Sequence, residues 1–467
     1  MGGNKMIKVI IPVIALLAII LCKKIPKIGG NVNAGLFVAG ALSLILGGVL
    51  NPVDWFAAWI DGVDKLAWVI CLSIFGSIYA STQVKLGTID TIMGYLKARF
   101  EKYPRILIVC IILVLVLAGS LLGDAIAAST VIGVLTIGVL ASMGISGEKI
   151  TCLIVMGASM GSIMPPISQA LALSAALTGA DPDAVLRYGY ITVPIIVVLM
   201  CIYANIIFID KKTKIPHQDR DGKPFDIVKE NWTSLIPLIL LIMIVIFRTT
   251  TIGGVHFDLV PELLGKIMIS ENLDLYTALS QISILKGVSN GIVLSIIFVT
   301  IVSFMFPKLK GEAKNCVSEG MKNVKTTVLI QVFAGFMLGC FYAGGQIEAV
   351  QAFAQGLNEN LLKIGGAGSM ALIGMLTGSQ STVQNVIFSF FGPALISIGM
   401  DPVQVAAAGA HLAAGGMGLP PADLTTFCVA GIVGSMVGKE VDPIKSMIMM
   451  IPMCLTMIAV GMIILYI

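Results

Sequence analysis

Apolar runs long enough to cross a lipid bilayer recur along the whole of this chain. A helix needs about 20 apolar residues to span the hydrocarbon core. Only 12% of the residues are charged, whereas roughly a quarter are charged in soluble domains. The sequence therefore predicts an all-α polytopic membrane protein. Its candidate spans are 6–22, 33–50, 66–83, 105–121, 125–143, 150–178, 185–209, 231–248, 288–306, 326–344, 367–378, 386–398, 403–437 and 443–467.

Two of these runs contain a double proline, in the stretches GSIMPPISQ (161–169) and GMGLPPADL (416–424). Proline lacks an N–H and clashes with the preceding turn, so it does not continue a helix. We therefore predict broken helices at 150–178 and 403–437. Two close pairs of runs, at about 105–143 and 367–398, predict re-entrant helical hairpins, because backbone that turns within a membrane must be covered by protein or trapped water.

The second half of the chain repeats the first at a shift of 255 residues, which carries Gly123 onto Gly378. The same shift carries Gly119 onto Gly374, Gly144 onto Gly399, Gly161 onto Gly416, and Pro165-Pro166 onto Pro420-Pro421. The stretch 52–65 carries Trp and Asp, whereas 307–325 is rich in Lys. This contrast predicts arms on opposite membrane surfaces, and therefore two inverted repeats.

Inverted repeats with interrupted helices are the organisation of secondary transporters, whose sites lie near the membrane midplane. A break exposes carbonyl groups, which can bind sodium, and N–H groups, which favour an anion. The alternative is a pair of structural kinks packed against neighbouring helices. Lys and Arg in the linkers 210–230 and 307–325 predict that both are cytoplasmic.

The turns and breaks resemble those of the large, DctM-like membrane subunit of tripartite ATP-independent periplasmic (TRAP) transporters, within the ion-transporter superfamily. The resemblance rests on Leu122 to Ala125, Met164 to Ser168, Gly374-Met375, Gly399-Met400-Asp401-Pro402-Val403, and Pro420-Pro421 followed by Phe427. It implies sodium-coupled symport of an organic acid, such as a dicarboxylate, by an elevator mechanism in the bacterial inner membrane. It also implies a small membrane subunit and a secreted solute-binding protein as partners, with no organic cofactor and no nucleic acid.

With this resemblance the chain divides into scaffold and transport-core segments. The scaffold comprises 1–83 with its arm helix 52–65, 184–344 with the second arm 307–325, and the last span 438–467. The two transport-core halves are 84–183 and 345–437. The sodium positions that the resemblance implies are Gly123, Asp124 and Pro165 in one half, and Gly378, Ser379, Gly416, Pro420 and Asp423 in the other.

The sequence departs from the family pattern at the two acidic positions. Asp124 stands where the family has a serine, and Asp423 stands where it has a glycine. A carboxylate at membrane depth is costly and normally has a partner. We hypothesise that both residues bind coupling cations or an amino group of the substrate. The alternative is that each Asp caps the helix that follows it.

Short polar side chains cluster around the breaks and predict a substrate site. The candidates are Ser168, Gln169, Gln380, Gln384, Asn385, Thr425 and Thr426, with Ser381 and Thr382 beside them. The alternative is that they satisfy backbone groups freed by the breaks. His411 is a candidate proton relay, or a histidine bonded to a neighbouring helix.

Other functions fit the sequence less well. A stand-alone carboxylate or amino-acid symporter, or a sodium–proton antiporter of the same superfamily, is the nearer alternative. An intramembrane aspartyl protease using Asp124 and Asp423 is a remote one. The sequence contains neither HExxH nor GxxxxGK[ST], which excludes those zinc and ATP motifs. We therefore expect a transporter and not an enzyme.

Overall fold

The computed structural model describes residues 2–22, 24–100, 103–209, 224–249, 258–270, 273–283, 285–354 and 356–467. Across these ranges the strands are confined to one antiparallel hairpin, β1 (Met268–Ser270) and β2 (Leu273–Asp274), and the other regular elements are helices. The predicted all-α class is confirmed. Within the same ranges, five helical segments are long and apolar enough to cross a membrane, or six if the bent pair Val328–Ala343 and Gln346–Phe353 counts as one span.

The helices before the first hairpin are α1 (Gly2–Leu21), α2 (Val32–Gly47), α3 (Pro52–Lys65), α4 (Ala67–Leu86) and α5 (Thr88–Phe100). Helix α3 has the bounds of the predicted arm. It begins where the Asn51 side chain accepts the N–H of Val53 and Pro52 takes the first turn, a position where the missing N–H of proline does no harm.

The first hairpin and the first broken helix follow in order. They consist of α6 (Pro104–Leu122), α7 (Ala125–Ala127), a π-helical turn (Ala128–Gly133), α8 (Val134–Ser142), α9 (Gly147–Ser162) and α10 (Gln169–Thr178). The hairpin turns at Gly123 and Asp124. The break between α9 and α10 covers 163–168, which contains the double proline.

The middle of the chain leads from the first half to the second. It contains α11 (Pro182–Ile207), α12 (Pro224–Asn231), a 3₁₀ turn (Trp232–Leu235), α13 (Ile236–Thr249), α14 (Leu259–Gly265), the β-hairpin, α15 (Leu275–Gln281), a 3₁₀ turn (Leu285–Ser289), α16 (Gly291–Phe304), a 3₁₀ turn (Pro307–Leu309) and α17 (Ala313–Ala343). Residues 210–223 of the predicted cytoplasmic linker lie outside the described residues.

The sequence predicts a second arm, 307–325, that is separate from the span 326–344. The structure instead joins most of both in one helix, α17. It runs without interruption from Ala313 to Ala343. The stretch contains no proline, and most of its residues between Ala313 and Val328 tolerate a helix well, so nothing ends the helix there. In the first half, by contrast, Leu66 separates the arm α3 from the span α4.

The second hairpin and the second broken helix complete the chain. They consist of α18 (Gln346–Ala354), α19 (Glu359–Thr377), α20 (Gln380–Val383), a π-helical turn (Gln384–Phe388), α21 (Ser389–Ser397), α22 (Pro402–Met417), α23 (Leu424–Val437) and α24 (Pro443–Tyr466). Helix α19 begins earlier than the predicted residue 367, because the Asn358 side chain caps it by accepting N–H groups of Asn360 and Leu361. The break between α22 and α23 covers 418–423.

Candidate functional site

The tip of the first hairpin packs directly onto the first break. Gly123 ends α6 in the left-handed region at φ 67°, where a residue without a Cβ is favoured. A Cβ added there would lie 2.9 Å from the carbonyl oxygen of Ile167. The Ser120 hydroxyl donates to Pro165 O at 2.6 Å, and Ile167 N donates to Ser120 O at 3.1 Å. The tip and the break are thus one hydrogen-bonded unit.

The second hairpin repeats this arrangement 255 residues later. Gly378 ends α19 at φ 59°, and an added Cβ would lie only 1.9 Å from Ala422 O. Leu424 N donates to Gly378 O at 3.5 Å. Both double prolines are joined by cis peptide bonds, and a π-helical turn lies in the second limb of each hairpin. The two halves therefore share a local backbone design.

The helix after each break begins with a side-chain cap at equivalent positions. Ser168 caps α10: its hydroxyl oxygen accepts Leu171 N at 3.1 Å and donates to Ser162 O at 2.8 Å. Asp423, which lies 255 residues later, caps α23 by accepting Thr425 N at 3.0 Å and Thr426 N at 3.3 Å. The capping role that the sequence left open for Asp423 is therefore present.

Asp423 is fully buried. The Thr426 hydroxyl also donates to its carboxylate, at 2.5 Å. In the part of the chain that the structure describes, no Lys, Arg or His forms an ion pair with it. The same part contains no group of three or more His, Cys, Asp or Glu side chains that would hold a metal ion. A cation near Asp423 would therefore depend on backbone carbonyls and hydroxyls for its other ligands.

A cavity of about 370 Å³ lies between the two hairpin tips, the start of α10 and the middle of α17. Gly123, Asp124, Gln169, Ser379, Gln380 and Gln384, all predicted site residues, line it. The other lining residues are Ala125, Ile126, Thr130, Ala170, Leu173, Ile330, Gln331, Ser381, Met417 and Leu424. Among these described residues there is no Lys, Arg or His.

Two hydrogen-bonded contacts join the second hairpin to the first broken helix beside this cavity. The Gln384 Nε2 donates to Ala170 O and to Ser174 Oγ, both at 2.7 Å. The amide of Gln380 lies 3.1 Å from the Ser162 hydroxyl. The cavity is therefore built from both halves, and the amides of the second hairpin hold them together.

The remaining predicted site residues lie in the walls around the breaks rather than on the cavity surface. Thr425 and Thr426 bind the cap carboxylate of Asp423. Asn385 is buried and donates to Ser381 O one turn earlier. Five further predicted site residues lie at the breaks or pack against them: Pro165, Ser168, Gly378, Gly416 and Pro420. Their roles in binding stay predictions.

His411 lies away from the cavity lining and bonds to a neighbouring helix. Its Nε2 is 2.9 Å from the Thr192 hydroxyl on α11, and its Nδ1 is 2.8 Å from Ala407 O. The residue that the sequence reasoning missed is Gln331 on α17, which lines the cavity and is 2% exposed. The sequence does contain a feature that could have identified it, because this amide side chain stands within an apolar run, Val328 to Ala334.

Comparisons with known proteins agree with this architecture. The sequence matches the family described as tripartite ATP-independent periplasmic transporter, DctM component, over residues 28–260. The fold is similar to the YdaH transporter of Alcanivorax borkumensis (TM-score 0.62, 14% identity, 92% of this chain and 96% of that chain). It is also similar to MtrF of Neisseria gonorrhoeae, which is described with a class of antimetabolite efflux pumps (TM-score 0.62, 16% identity, 97% and 94%). No curated protein matches the sequence.

Hairpins and interrupted helices around a cavity, in a multi-pass helical chain, define a membrane transport protein. This chain belongs to the DctM family, which supplies the large permease component of tripartite ATP-independent periplasmic transporters. It is a transporter and not an enzyme, so the protease alternative is set aside. Family membership implies association with a small membrane subunit and a solute-binding protein. The matched residues include the first tip and break, whereas the second tip and break lie beyond them.

Proposed function

We propose that this chain is a secondary permease that takes up an organic acid together with sodium across the bacterial inner membrane. One observation carries the proposal. A single cavity has an open helix N-terminus on one side, a buried carboxylate in the wall of the opposite half, and no basic side chain among its described lining residues.

The start of α10 supplies the anion-binding end. Gln169 and Ala170 open this ten-residue helix and both line the cavity. The Ser168 cap takes the N–H of Leu171, so the cap leaves the first N–H groups of the helix for another acceptor. N–H groups and the helix dipole favour a carboxylate at such a position.

The second break supplies the cation-binding end. Asp423 lies fully buried against the second tip, since a Cβ on Gly378 would be 2.8 Å from its Cα. A buried carboxylate without a cationic partner is costly. Sodium held by this carboxylate and by carbonyls freed at the break would offset that cost. In the first half, Asp124 at the hairpin tip would serve the second cation.

The separation of an anion-binding end from a cation-binding end gives a physical reason why the binding of acid and of sodium should be coupled. A carboxylate that enters the cavity meets no Lys, Arg or His among the described lining residues. Its charge is then balanced by the α10 terminus and by bound sodium, so acid and sodium each strengthen the binding of the other. We further propose that the two halves are inverted in the membrane and that the tips and breaks move as one transport core, the elevator mechanism, against a scaffold that includes α4 and α17.

The proposal is tested on the purified chain by measuring its thermal midpoint in sodium chloride and in potassium chloride. A ligand that binds only the folded state raises the midpoint as its concentration rises. We expect sodium to do so for the wild type. Asp423→Asn should lose most of the response while keeping its stability in potassium, because asparagine is an equally good helix cap.

Asp401 offers a matched control. It caps α22 in the same way, accepting Val403 N at 2.9 Å and Gln404 N at 3.0 Å, but it is solvent-exposed. Asp401→Asn should keep the full sodium response. An Asp423→Asn protein that responds to sodium as the wild type does would remove Asp423 from the cation site. Sodium-driven uptake of organic acids, measured with the partner subunits in liposomes, then tests the direction of transport.

A further inference from the structure

Gln331, which lines the cavity, has a buried side-chain oxygen without a partner among the described residues. The residue lies on α17, is 2% exposed, and lines the cavity together with Ile330. Its Nε2 donates to Ser73 Oγ on α4 at 2.9 Å. Its Oε1 is buried and accepts no hydrogen bond from the described residues. Buried acceptors are nearly always paired in native proteins, so this one points to a missing donor.

The orientation of the Gln331 amide follows from hydrogen-bond chemistry. Ser73 has one hydroxyl proton, and it donates that proton to Val69 O at 2.9 Å. Ser73 Oγ therefore accepts from Gln331, and only the Nε2 of an amide can donate. The carbonyl end is thus fixed on the side away from Ser73, and turning the amide over would place two acceptors together.

A second amide of the cavity wall is oriented in the same sense. Gln384 uses its Nε2 for the carbonyl oxygen of Ala170, which can only accept, and for Ser174 Oγ. Neither of these bonds uses the side-chain oxygen, Oε1, of Gln384. The two amides come from different parts of the chain, α17 and the second hairpin, and both commit their donors to the protein.

The third amide, that of Gln380, is oriented in the opposite sense. The Ser162 hydroxyl lies 2.8 Å from Ser159 O and 3.1 Å from the Gln380 amide. The hydroxyl donates to both, and the Gln380 atom that faces it is the acceptor, Oε1. The Nε2 of Gln380 is the buried atom without a partner among the described residues. The Gln331 amide therefore leaves an acceptor unpaired, whereas the Gln380 amide leaves a donor unpaired.

We infer that the transported acid carries a hydrogen-bond donor, a hydroxyl or an ammonium group, that pairs with Gln331 Oε1 while its carboxylate binds at the start of α10. This inference rests on the proposed function and adds a substrate class to it. Plain dicarboxylates and fatty acids leave Gln331 Oε1 unpaired and bind weakly. Gln331 is a specificity-determining residue, and it lies on the helix that we place in the scaffold.

The test uses acids that differ only in this donor. The purified chain in sodium is titrated with succinate, malate and aspartate, then with glutarate, 2-hydroxyglutarate and glutamate, and with hexanoate against gluconate. In at least one set the donor-bearing acid should bind about tenfold more tightly than its plain counterpart, the ratio expected when one buried acceptor is left unpaired. The hydroxyl and ammonium members of a set show which donor the site takes.

Gln331→Met keeps the shape of the side chain and removes the acceptor, so it should bring this ratio close to one. Gln346 provides the matched control: it is 1% exposed, its Nε2 donates to Ser43 O at 2.8 Å, and its Oε1 has no partner among the described residues, but it does not line the cavity. Gln346→Met should leave the ratio unchanged.

Three results would overturn the inference. One is equal binding of plain and donor-bearing acids by the wild type, which decides the matter even if Gln331→Met does not fold. Another is an unchanged preference in Gln331→Met. The third, binding of no acid in the presence of sodium, overturns the proposed function and the inference with it, whereas the first two leave sodium-coupled acid transport standing.

Discussion

The two breaks have the same backbone design but exchange their acidic and hydroxyl side chains. In the first half the carboxylate is at the hairpin tip, Asp124, and the hydroxyl of Ser168 caps the helix after the break. In the second half Ser379 is at the tip and Asp423 is the cap. Both pairs are related by the same shift of 255 residues. The tip and break of each half therefore contain one carboxylate, which lies at the tip in the first half and at the helix cap in the second.

The exchange makes the two helix starts chemically different. Asp423 consumes the N–H groups of Thr425 and Thr426, and Gly378 O accepts that of Leu424. Ser168 takes only the N–H of Leu171 at its own helix start. A pair of similar breaks thus yields one helix start capped by a carboxylate and one capped by a hydroxyl. Under the proposed function, the first of these attracts a cation and the second an anion.

The largest expected effect concerns the tightness of the two tips. Gly378→Ala would place a Cβ 1.9 Å from Ala422 O, whereas Gly123→Ala would place one 2.9 Å from Ile167 O. We expect Gly378→Ala to cost on the order of 4 kcal/mol or more, or to prevent folding. Gly123→Ala should cost about 1–3 kcal/mol. Chemical or thermal unfolding of the purified variants measures the difference.

Gly144→Ala separates backbone strain from collision in this experiment. Gly144 has φ 77° with nothing within 4 Å of an added Cβ. Its substitution should cost only the left-handed conformation, about 1–2 kcal/mol. Equal losses for Gly378→Ala and Gly144→Ala would show that the second tip is no tighter than an open turn.

The second effect concerns the place of the carboxylate. Asp423→Ser keeps a capping oxygen but removes the charge, so the sodium-dependent rise in thermal midpoint should fall by at least half. Adding Ser379→Asp gives the second half the arrangement of the first half and should restore much of the rise. Midpoints measured against sodium concentration for the single and double variants test this. A double variant as unresponsive as Asp423→Ser would show that the two places are not equivalent.

The third effect concerns the two hairpins. Gln384 of the second hairpin binds Ala170 and Ser174 of the first half, whereas Ser129, its counterpart 255 residues earlier, donates to Ala125 O in its own helix at 2.7 Å. Gln384→Leu should lose about 1–3 kcal/mol of unfolding free energy, because buried groups lose their partners. Ser129→Ala should lose less than about 1 kcal/mol. Similar losses would contradict a hairpin-specific link between the halves.

Much of the backbone at the site could be predicted from Gly and Pro alone. Glycine readily adopts the left-handed conformation of a turn and proline does not continue a helix, so Gly123, Gly378 and the double prolines located the turns and breaks directly. The continuity of α17 was not predictable from the change in charge at 307–325, because a charged stretch can start a helix as well as lie on a surface.

The side-chain chemistry of the cavity was less accessible from the sequence. Gln331 is far in sequence from both tips. Its role depends on the orientation of its amide, which is set by a hydrogen bond from α17 to Ser73 on α4. The hydrogen bond from Gln384 to Ala170 likewise depends on how the two halves of the chain pack together. Polar residues near the breaks could be named as candidates, but their partners follow from packing over more than two hundred residues of chain.

The smallest expected effect concerns Ser168, the hydroxyl counterpart of Asp423. Its oxygen accepts Leu171 N and its proton goes to Ser162 O, so both functions serve the backbone of the break. Ser168→Ala should cost about 0.5–2 kcal/mol, the usual value of a helix cap, and leave acid affinity and the sodium response unchanged. Ser168→Asn should recover part of this loss if the cap dominates it. A Ser168→Ala protein of normal stability whose acid affinity falls severalfold would place this hydroxyl on the substrate and make the first break a direct binding element, unlike the second.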